Sequence, residues 1–422
     1  QWDGEAQQLL DGREGFVRVV GGPGTGKTSL LAEAAARRML DDGPDRVLVL
    51  TSTRKAAEAL RSQIARLLTH LSGEQASAPR AVREPMVRTV HSYAFGVLRA
   101  QAAEEGSPPP RLLSGPEQDA VVRELLAGDL ADAMDGHDSY WPERLRPALT
   151  VPGFAEELRD LLMRAAERGL SPEDLVRLGR RKKRDEWVAA GTFWRQYEQV
   201  TRLRAAGGSA LAVPPAAAYD AAELVTAALL SLMDDDKLLA RERERIRHLF
   251  VDDAQHLAPL QWRLIRLIGT GAKQFVVAGD ADQTVFSFRG AEPVEFVEAD
   301  PDGKHTVTLR QGRRMARSVR EAVARLAEAA PRPHRVPDVA PDQPDLGVAV
   351  RLFRSPAAEA AWVADQLRRA HLVDGIPWDE MAVVVRSPGR TFPVLQRALR
   401  WAGVPIASAA DHLPLARNPA VR

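Results

Sequence analysis

The chain has 422 residues, with 58 Lys plus Arg against 57 Asp plus Glu and a formal charge of +1. Two or three packed units are expected at that length, and no global field draws such a chain to a polyanion or a membrane surface, so any such contact must be local. The lack of cysteine excludes disulfides, thiolate metal centres and thiol nucleophiles; with no apolar run near the roughly 18 to 20 residues of a membrane span and no signal-peptide pattern, a cytoplasmic protein without a membrane partner is expected.

FVRVV at residues 16–20 is a β-rich run that ends in glycines and leads into an alanine- and leucine-rich stretch, 29–40, with helical character. Residues 47–50 repeat the strand signal, and Ala56, Leu60, Ile64 and Leu67 then fall at the spacing of one helical face. Buried strands are expected again at 249–251, 275–278, 348–353 and 381–385. Strands alternating with helices argue for an α/β fold, a parallel sheet with helices on both faces.

From about 107 to 239 the texture changes to Leu, Ala, Arg and Glu, with helical spacing at Phe154, Leu158, Leu161 and Leu162. This predicts an all-helical insertion, entered through GSPPP at 106–110 and carrying AAGGSALAVPP at 205–215. A proline-rich linker covers 330–345, and no repeat of fixed period is present.

GGPGTGKTS at 21–29 matches G-x-x-x-x-G-K-[ST] through Gly21, Gly26, Lys27 and Thr28. Glycines at 21, 22, 24 and 26, with Thr25 between them, let the backbone curl so that N–H groups point at phosphate oxygens; the helix that opens at Ser29 adds its positive end. Lys27 would neutralise the β- and γ-phosphates, and the Thr28 hydroxyl would ligate magnesium, so ATP and Mg2+ are the expected cofactors. The pattern arises by chance in on the order of one per cent of chains this long, and a bare glycine-rich turn is the plain alternative. FVDDAQHL at 250–257 sets two carboxylates at the end of a hydrophobic run. Asp252 would hold the metal through water and Asp253 would polarise the attacking water; a solvated acidic turn is the alternative.

VVAGDADQTVFSFRGAE at 276–292 is a longer and more specific signal. Through Gly279, Asp280, Gln283, Phe286, Phe288, Arg289, Gly290 and Ala291 it resembles motif III of the UvrD/Rep/PcrA-like superfamily 1 helicases. TSTRKAAEALRSQI at 51–64 resembles their motif Ia, TVHSYA at 89–94 motif Ib, and LRQGRR at 309–314 motif IV. The resemblance covers essentially the whole chain. It implies a RecA-like P-loop NTPase domain at 1–106 and 240–300, the helical insertion at 107–239, and a partial second RecA-like domain at 301–422, with motifs V and VI and any nuclease domain beyond the sequence. The implied activity is ATP-driven, 3′-to-5′ movement on single-stranded DNA. DDAQHL, LLSGPEQDA, YWPERLRPAL and the Arg- and Ala-rich composition most closely resemble the AdnA branch of the actinobacterial AdnAB helicase-nucleases. That likeness implies single- and double-stranded DNA as ligands, an AdnB-like heterodimer partner, and resection of double-strand breaks.

By the same resemblance Gln283 senses the γ-phosphate, Gln255 links the water-activating carboxylate to the DNA side, and Arg314, with Arg289 beside it, grips the γ-phosphate. An arginine fork suits developing phosphate charge because it never deprotonates. Phe286 and Phe288 would stack on bases or else pack in a core. Thr53, Thr89 and His91 would meet the DNA backbone, with a satisfied core histidine as the alternative at 91. RRKKR at 180–184 could meet phosphates, yet Asp185 and Glu186 follow at once and favour a solvated face.

The departures from the family fall in the ATP and DNA sites. Asp252-Asp253 stands where the family carries Asp-Glu, and a reach one methylene shorter predicts a poor water activator. Arg313 replaces the adenine-stacking tyrosine and Gly312 the asparagine of motif IV, although a guanidinium also stacks on a base. The glutamine that reads adenine falls at Ala6, with Gln7 and Gln8 adjacent, and Ser52 replaces an aromatic. Two readings follow: an active DNA-translocating ATPase, or a degenerate motor that holds ATP and DNA beside an active partner. A small-molecule P-loop kinase explains neither residues 276–292 nor the insertion.

Overall fold

The computed structural model describes residues 2, 4–72, 85–113, 115–207, 218–287, 290–329, 336–339, 345 and 347–407. The chain divides into two compact units, Gln1–Leu346 and Gly347–Arg422. In the first, α1 (Gly4–Leu10) is followed by β1 (Gly15–Gly21), α2 (Lys27–Asp42), β2 (Val47–Thr51), α3 (Arg54–Ser72), β3 (Met86–Thr89) and α4 (Val90–Glu104). Then come β4 (Arg111–Leu112), the helices α5 (Gly115–Met134), α6 (Pro152–Glu167), α7 (Pro172–Lys182) and α8 (Asp185–Gly207), and β5 (Ala218–Tyr219). The chain returns through α9 (Ala221–Asp234), α10 (Asp236–Arg245), β6 (His248–Val251), α11 (Pro259–Gly269) and β7 (Gln274–Gly279). It continues through α12 (Val294–Glu298), β8 (Thr306–Leu309), β9 (Gln311–Gly312), α13 (Arg317–Glu328) and β10 (Asp338–Val339).

Six strands form one parallel sheet in the order β3-β2-β6-β7-β1-β8. Successive side chains of a strand point to opposite faces, so the central strands feed two cores. Val17, Val19, Val47, Val49, Phe250, Val276 and Ala278 join residues of α1, α2 and α3 on one face. Val20, Leu48, Leu50, Leu249, Val251, Phe275 and Val277 join those of α4, α9 and α11 on the other. Burial of each large side chain contributes about 1.5 to 3 kcal/mol. This is the expected α/β architecture: apolar strands covered on both faces.

Helices α5 to α8 enclose a separate core around Leu126, Trp141, Leu158 and Phe193. Trp141 satisfies its buried indole N–H by donating from Nε1 to Asp129 Oδ2 at 2.8 Å. The sequence texture extends the insertion to 239, but α9 and α10 pack elsewhere: Leu224, Val225, Ala228, Leu232 and Leu238 complete the core beneath α4. Composition does not separate the two cases, because a helix covering a sheet buries the same Leu and Ala stripe as one in a bundle. β4 pairs with β5, closing the two ends of the insertion on each other.

Past residue 300, where a second RecA-like domain is expected, β8 still pairs with β1, from Arg18↔Thr306 to Gly21↔Leu309. β10 pairs with β9 in the same unit. The second unit packs α14 (Pro356–Leu372) on α15 (Pro388–Trp401) through Ala360, Ala364, Leu395 and Leu399. The strands predicted at 348–353 and 381–385 do not form there. Both segments lie outside any ladder, and Val350, Leu352 and Val384 are 87%, 96% and 94% exposed. A β-rich run becomes a strand only against a neighbour that takes its backbone hydrogen bonds. No helix among the described residues is long and apolar enough to cross a membrane.

Candidate functional site

β6, β7 and β1 are neighbours in the sheet, and their C-terminal ends carry the residues singled out by the motifs. Loops at that end of a parallel sheet are where ligands bind. After β1 the chain turns sharply through Gly24 and Gly26, whose φ angles are +73° and +96°, a region glycine enters freely. A Cβ on Gly21 would stand 2.5 Å from Thr25 Oγ1 and 2.9 Å from Leu309 O. Gly22 and Thr25 are buried, and the Thr25 hydroxyl donates to Gly22 O at 2.9 Å, which holds the curl. Gly26 gives α2 no side-chain cap, so the first N–H groups of the helix are left to bind an anion. Ser29, in its first turn, is exposed.

The Lys27 ammonium donates to Gly21 O at 2.7 Å and Gly22 O at 3.1 Å. Burial lowers its pKa, while the charges of Asp280, Asp252 and Asp253 act against that shift. Three carboxylates from two strand tips therefore act on one cation.

Asp252 follows β6 and is 4% exposed. Burial, and then the charge of Asp253, raises its pKa to about 7; a hydrogen bond with Thr28 and the charge of Lys27 pull the other way. Its Oδ1 is sealed from solvent with no hydrogen-bond partner among the described residues. An unpartnered, buried carboxylate oxygen beside a threonine hydroxyl fits Mg2+, which takes one or two protein oxygens together with water and phosphate. Thr28 and Asp252 would hold the ion. Its charge would offset the cost of ionising a buried carboxylate.

Asp253 sits at φ 54° and ψ 39°, a left-handed conformation that Asp adopts more readily than most side chains. The Gln255 amide is buried between the two tips. Its Nε2 donates to Asp253 Oδ1 at 3.4 Å, and its Oε1 accepts the Asp280 backbone N–H at 3.1 Å. A Cβ on Gly279 would lie 2.6 Å from that Oε1, so the glycine of the Gly-Asp pair makes room for the amide. Gln283 Nε2 donates to Asp280 Oδ2 at 2.5 Å. Asp253, Gln255, Asp280 and Gln283 thus form one polar chain across β6 and β7. Asp280 entered the sequence reading as a match to motif III with no chemical role assigned to it, although a charge directly after an apolar strand was an available signal.

The segment after β8 reaches the loop through its backbone. Arg313 N–H donates to Gly24 O at 2.9 Å, and Arg314 Cβ lies 3.0 Å from the position a Cβ on Gly24 would take. The Arg313 guanidinium stands 4.5 Å from the centroid of the Trp2 ring, and Trp2 Nε1 donates to Glu33 Oε2 at 2.8 Å. Trp2 and Glu33 escaped the sequence analysis, since neither belongs to a motif. Ala6 is buried, and Gln7 Nε2 donates to Asp11 Oδ1 at 2.8 Å along α1.

Residues 2–304 match the family model described as the UvrD/REP helicase N-terminal domain. The chain belongs to the UvrD/REP helicase family. It is 27% identical over 354 residues to the ATP-dependent DNA helicase UvrD1 of Mycobacterium leprae, covering 76% of this chain and 40% of that protein. It is 23% identical over 405 residues to the ATP-dependent DNA helicase PcrA of Leuconostoc citreum, covering 94% and 48%. Against DNA helicase II of Escherichia coli strain K12 the identity is 25% over 316 residues, covering 74% and 38%. The chain therefore spans half or less of the length of these UvrD/REP relatives.

Two of the residues that the UvrD/REP resemblance points toward DNA cap helices. Thr53 Oγ1 accepts Ala56 N–H at 3.1 Å and Thr89 Oγ1 accepts Ser92 N–H at 3.2 Å, so these hydroxyls cap α3 and α4. His91 Nε2 is buried with no hydrogen-bond partner among the described residues, and burial, then Arg54, lowers its pKa. A neutral ring can offer a phosphate only a hydrogen bond. Phe286 is half-buried with its ring 4.6 Å from that of His256. Phe288 and Arg289 lie outside the described residues. RRKKR closes α7 on an exposed face, where Arg184 pairs with Glu186 at 3.2 Å and covers the Trp187 ring.

Proposed function

We propose that this site binds Mg·ATP and hydrolyses it to move the longer protein 3′ to 5′ along single-stranded DNA. In this reading the protein is the AdnA-like motor of a cytoplasmic helicase-nuclease that unwinds and resects broken double-stranded ends beside an AdnB-like partner. The supporting observation is geometric: Lys27 closes on the loop at the end of β1 through Gly21 O and Gly22 O, while Gln255 joins Asp253 to Asp280 across the neighbouring ends of β6 and β7. A triphosphate over the start of α2 would take the Lys27 contacts now made to Gly21 O and Gly22 O. Bound Mg2+ supplies positive charge against the β- and γ-phosphates. Asp253 accepts the proton of the attacking water as the P–O bond to ADP breaks; Gln255 orients Asp253, and Gln283, Arg314 and Arg289 stabilise the departing γ-phosphoryl group.

The test is ATP hydrolysis by the full-length protein with and without single-stranded DNA. Stimulation by DNA that is lost in Lys27→Ala supports the proposal; ATP turnover indifferent to both DNA and Lys27 refutes it. One observation favours the second reading, a weakly hydrolysing motor: Asp253 is short and held in a left-handed conformation. In the heterodimer, unwinding that is only slowed by Lys27→Ala would support that reading. Complete loss would support an equal motor.

A further inference from the structure

Helix α6 of the insertion ends against the loop that follows β7. Gly169, at φ +75°, closes the helix with its N–H on Ala166 O at 2.8 Å, and a Cβ there would lie 3.4 Å from Leu260 Cδ2 at the start of α11. Two residues earlier, Glu167 is 7% exposed, although a carboxylate in the last turn of a helix is disfavoured both by burial and by the negative end of the helix. The stability of α6 therefore does not account for it. Its side chain lies on Gly290: a Cβ at 290 would overlap Glu167 Oε2 and stand 3.2 Å from its Cδ and 3.3 Å from its Cβ. Gly290 turns at φ +89°, with its N–H on Ser287 O and that of Ala291 on Phe286 O, both at 3.2 Å. Beyond the turn, the Glu292 N–H donates to Leu257 O at 3.1 Å and the Arg168 guanidinium reaches Glu292 Oε2 at 3.5 Å. The turn is thus held between α6 and the segment that follows Asp253 and Gln255. Leu158, Leu162 and Ala165 anchor α6 in the insertion core, so the insertion supplies the outer wall. A close-packed contact that excludes even a methyl group leaves no slack, whereas the half-exposed ion pair of Arg168 and Glu292 contributes little.

Resting on the reading that the site hydrolyses ATP, we infer that Glu167 is a positioning residue for that reaction: from the insertion side it seats the turn at Gly290 against the tip of β6. Arg289, which the proposed function aims at the γ-phosphoryl group, precedes Gly290, and Gln255, which orients Asp253, stands two residues before Leu257. Loosening the turn degrades the chemical step and spares the hold on the nucleotide, which belongs to Lys27 and the phosphate loop.

The experiment is single-turnover ATP hydrolysis by the full-length protein on single-stranded DNA, beside calorimetric titration with the non-hydrolysable β,γ-imido analogue of ATP and Mg2+. Glu167→Ala should lower the rate by roughly tenfold, since a misplacement near 1 Å costs up to about a hundredfold, and leave the affinity for the analogue within about twofold. Gly290→Ala is expected to slow the reaction as well. Because both changes act on one contact, the double variant should lose less than the product of the two single losses. Thermal melts check folding; should Glu167→Ala not fold, Glu167→Asp, which withdraws the carboxylate from Gly290 by one methylene, should lose about threefold or more in rate at the same affinity. A folded Glu167 variant that turns over within about twofold of the wild type overturns the inference, as does one whose affinity falls as far as its rate, or a double variant whose losses multiply. Failure of the underlying reading looks different: the wild type itself would show no hydrolysis that depends on Lys27 and DNA.

Discussion

The side-chain carbonyl of Gln255 accepts the backbone N–H of Asp280 at 3.1 Å, tying the tip of β6 to the tip of β7. Gln255 is 2% exposed, so Gln255→Ala leaves a buried donor unpaired. That substitution is expected to cost about 1 to 3 kcal/mol. Urea unfolding checks it: the midpoint should fall with an unchanged slope.

Gly26 carries two constraints at once, a φ of +96° and the Trp2 ring edge 2.9 Å from its would-be Cβ. Gly26→Ala is expected to cost about 1 to 2 kcal/mol from the backbone conformation, with the steric contact added to it. Trp2→Ala relieves only the contact. A double-mutant cycle should therefore give a loss smaller than the sum of the two single losses, with a coupling of about 0.5 kcal/mol or more.

Asp253→Glu extends the carboxylate by one methylene at a position with φ 54°. DNA-stimulated hydrolysis in the full-length protein is expected to rise by roughly tenfold or more, since misplacement near 1 Å costs on the order of a hundredfold. Stability should fall by about 1 kcal/mol, because Glu adopts the left-handed region less readily than Asp. Single-turnover kinetics with excess protein separate a change in chemistry from a change in product release.

His248 Nε2 lies 2.6 Å from Asp42 Oδ2 and joins β6 to the end of α2. Burial holds the ring below its ordinary pKa of 6.5, partly offset by Asp42. Below that pH the unfolded ring takes up a proton that the folded ring resists, so this contribution is full above 6.5 and declines as the pH falls. The His248 hydrogen bond holds Asp42 below its ordinary 3.8, so the Asp42 contribution is lost only in stronger acid. Asp42→Asn is expected to remove the later loss and deepen the earlier one. Unfolding midpoints measured from pH 8 to pH 2 report both.

The sheet and the phosphate loop were legible because their signals are local. FVRVV, the strand 47–50 and the two later strands are short apolar runs bounded by turns, and each lies in the observed sheet. The sheet edges were not: β3 and β8 are four residues each and owe their state to a neighbouring strand. The runs at 348–353 and 381–385 carry the same β-rich pattern without a ladder. In the site, Lys27 follows β1 while Asp252 and Asp280 follow β6 and β7, so these motif residues stand at neighbouring strand ends. Trp2 and Glu33 did not stand out, because their places follow from packing across 24 to more than 300 residues of chain, as with Trp2 over Gly26 and under Arg313.

Binding of ATP in the presence and absence of Mg2+, measured on the wild type, Lys27→Ala and Asp252→Asn, addresses the shared triphosphate site most directly. Lys27→Ala should lose affinity by roughly tenfold to a hundredfold in both conditions, while Asp252→Asn should lose only the increment that Mg2+ provides. An Asp252→Asn protein that keeps the full Mg2+ increment, or a Lys27→Ala protein that binds as the wild type does, would contradict a single site built by both residues.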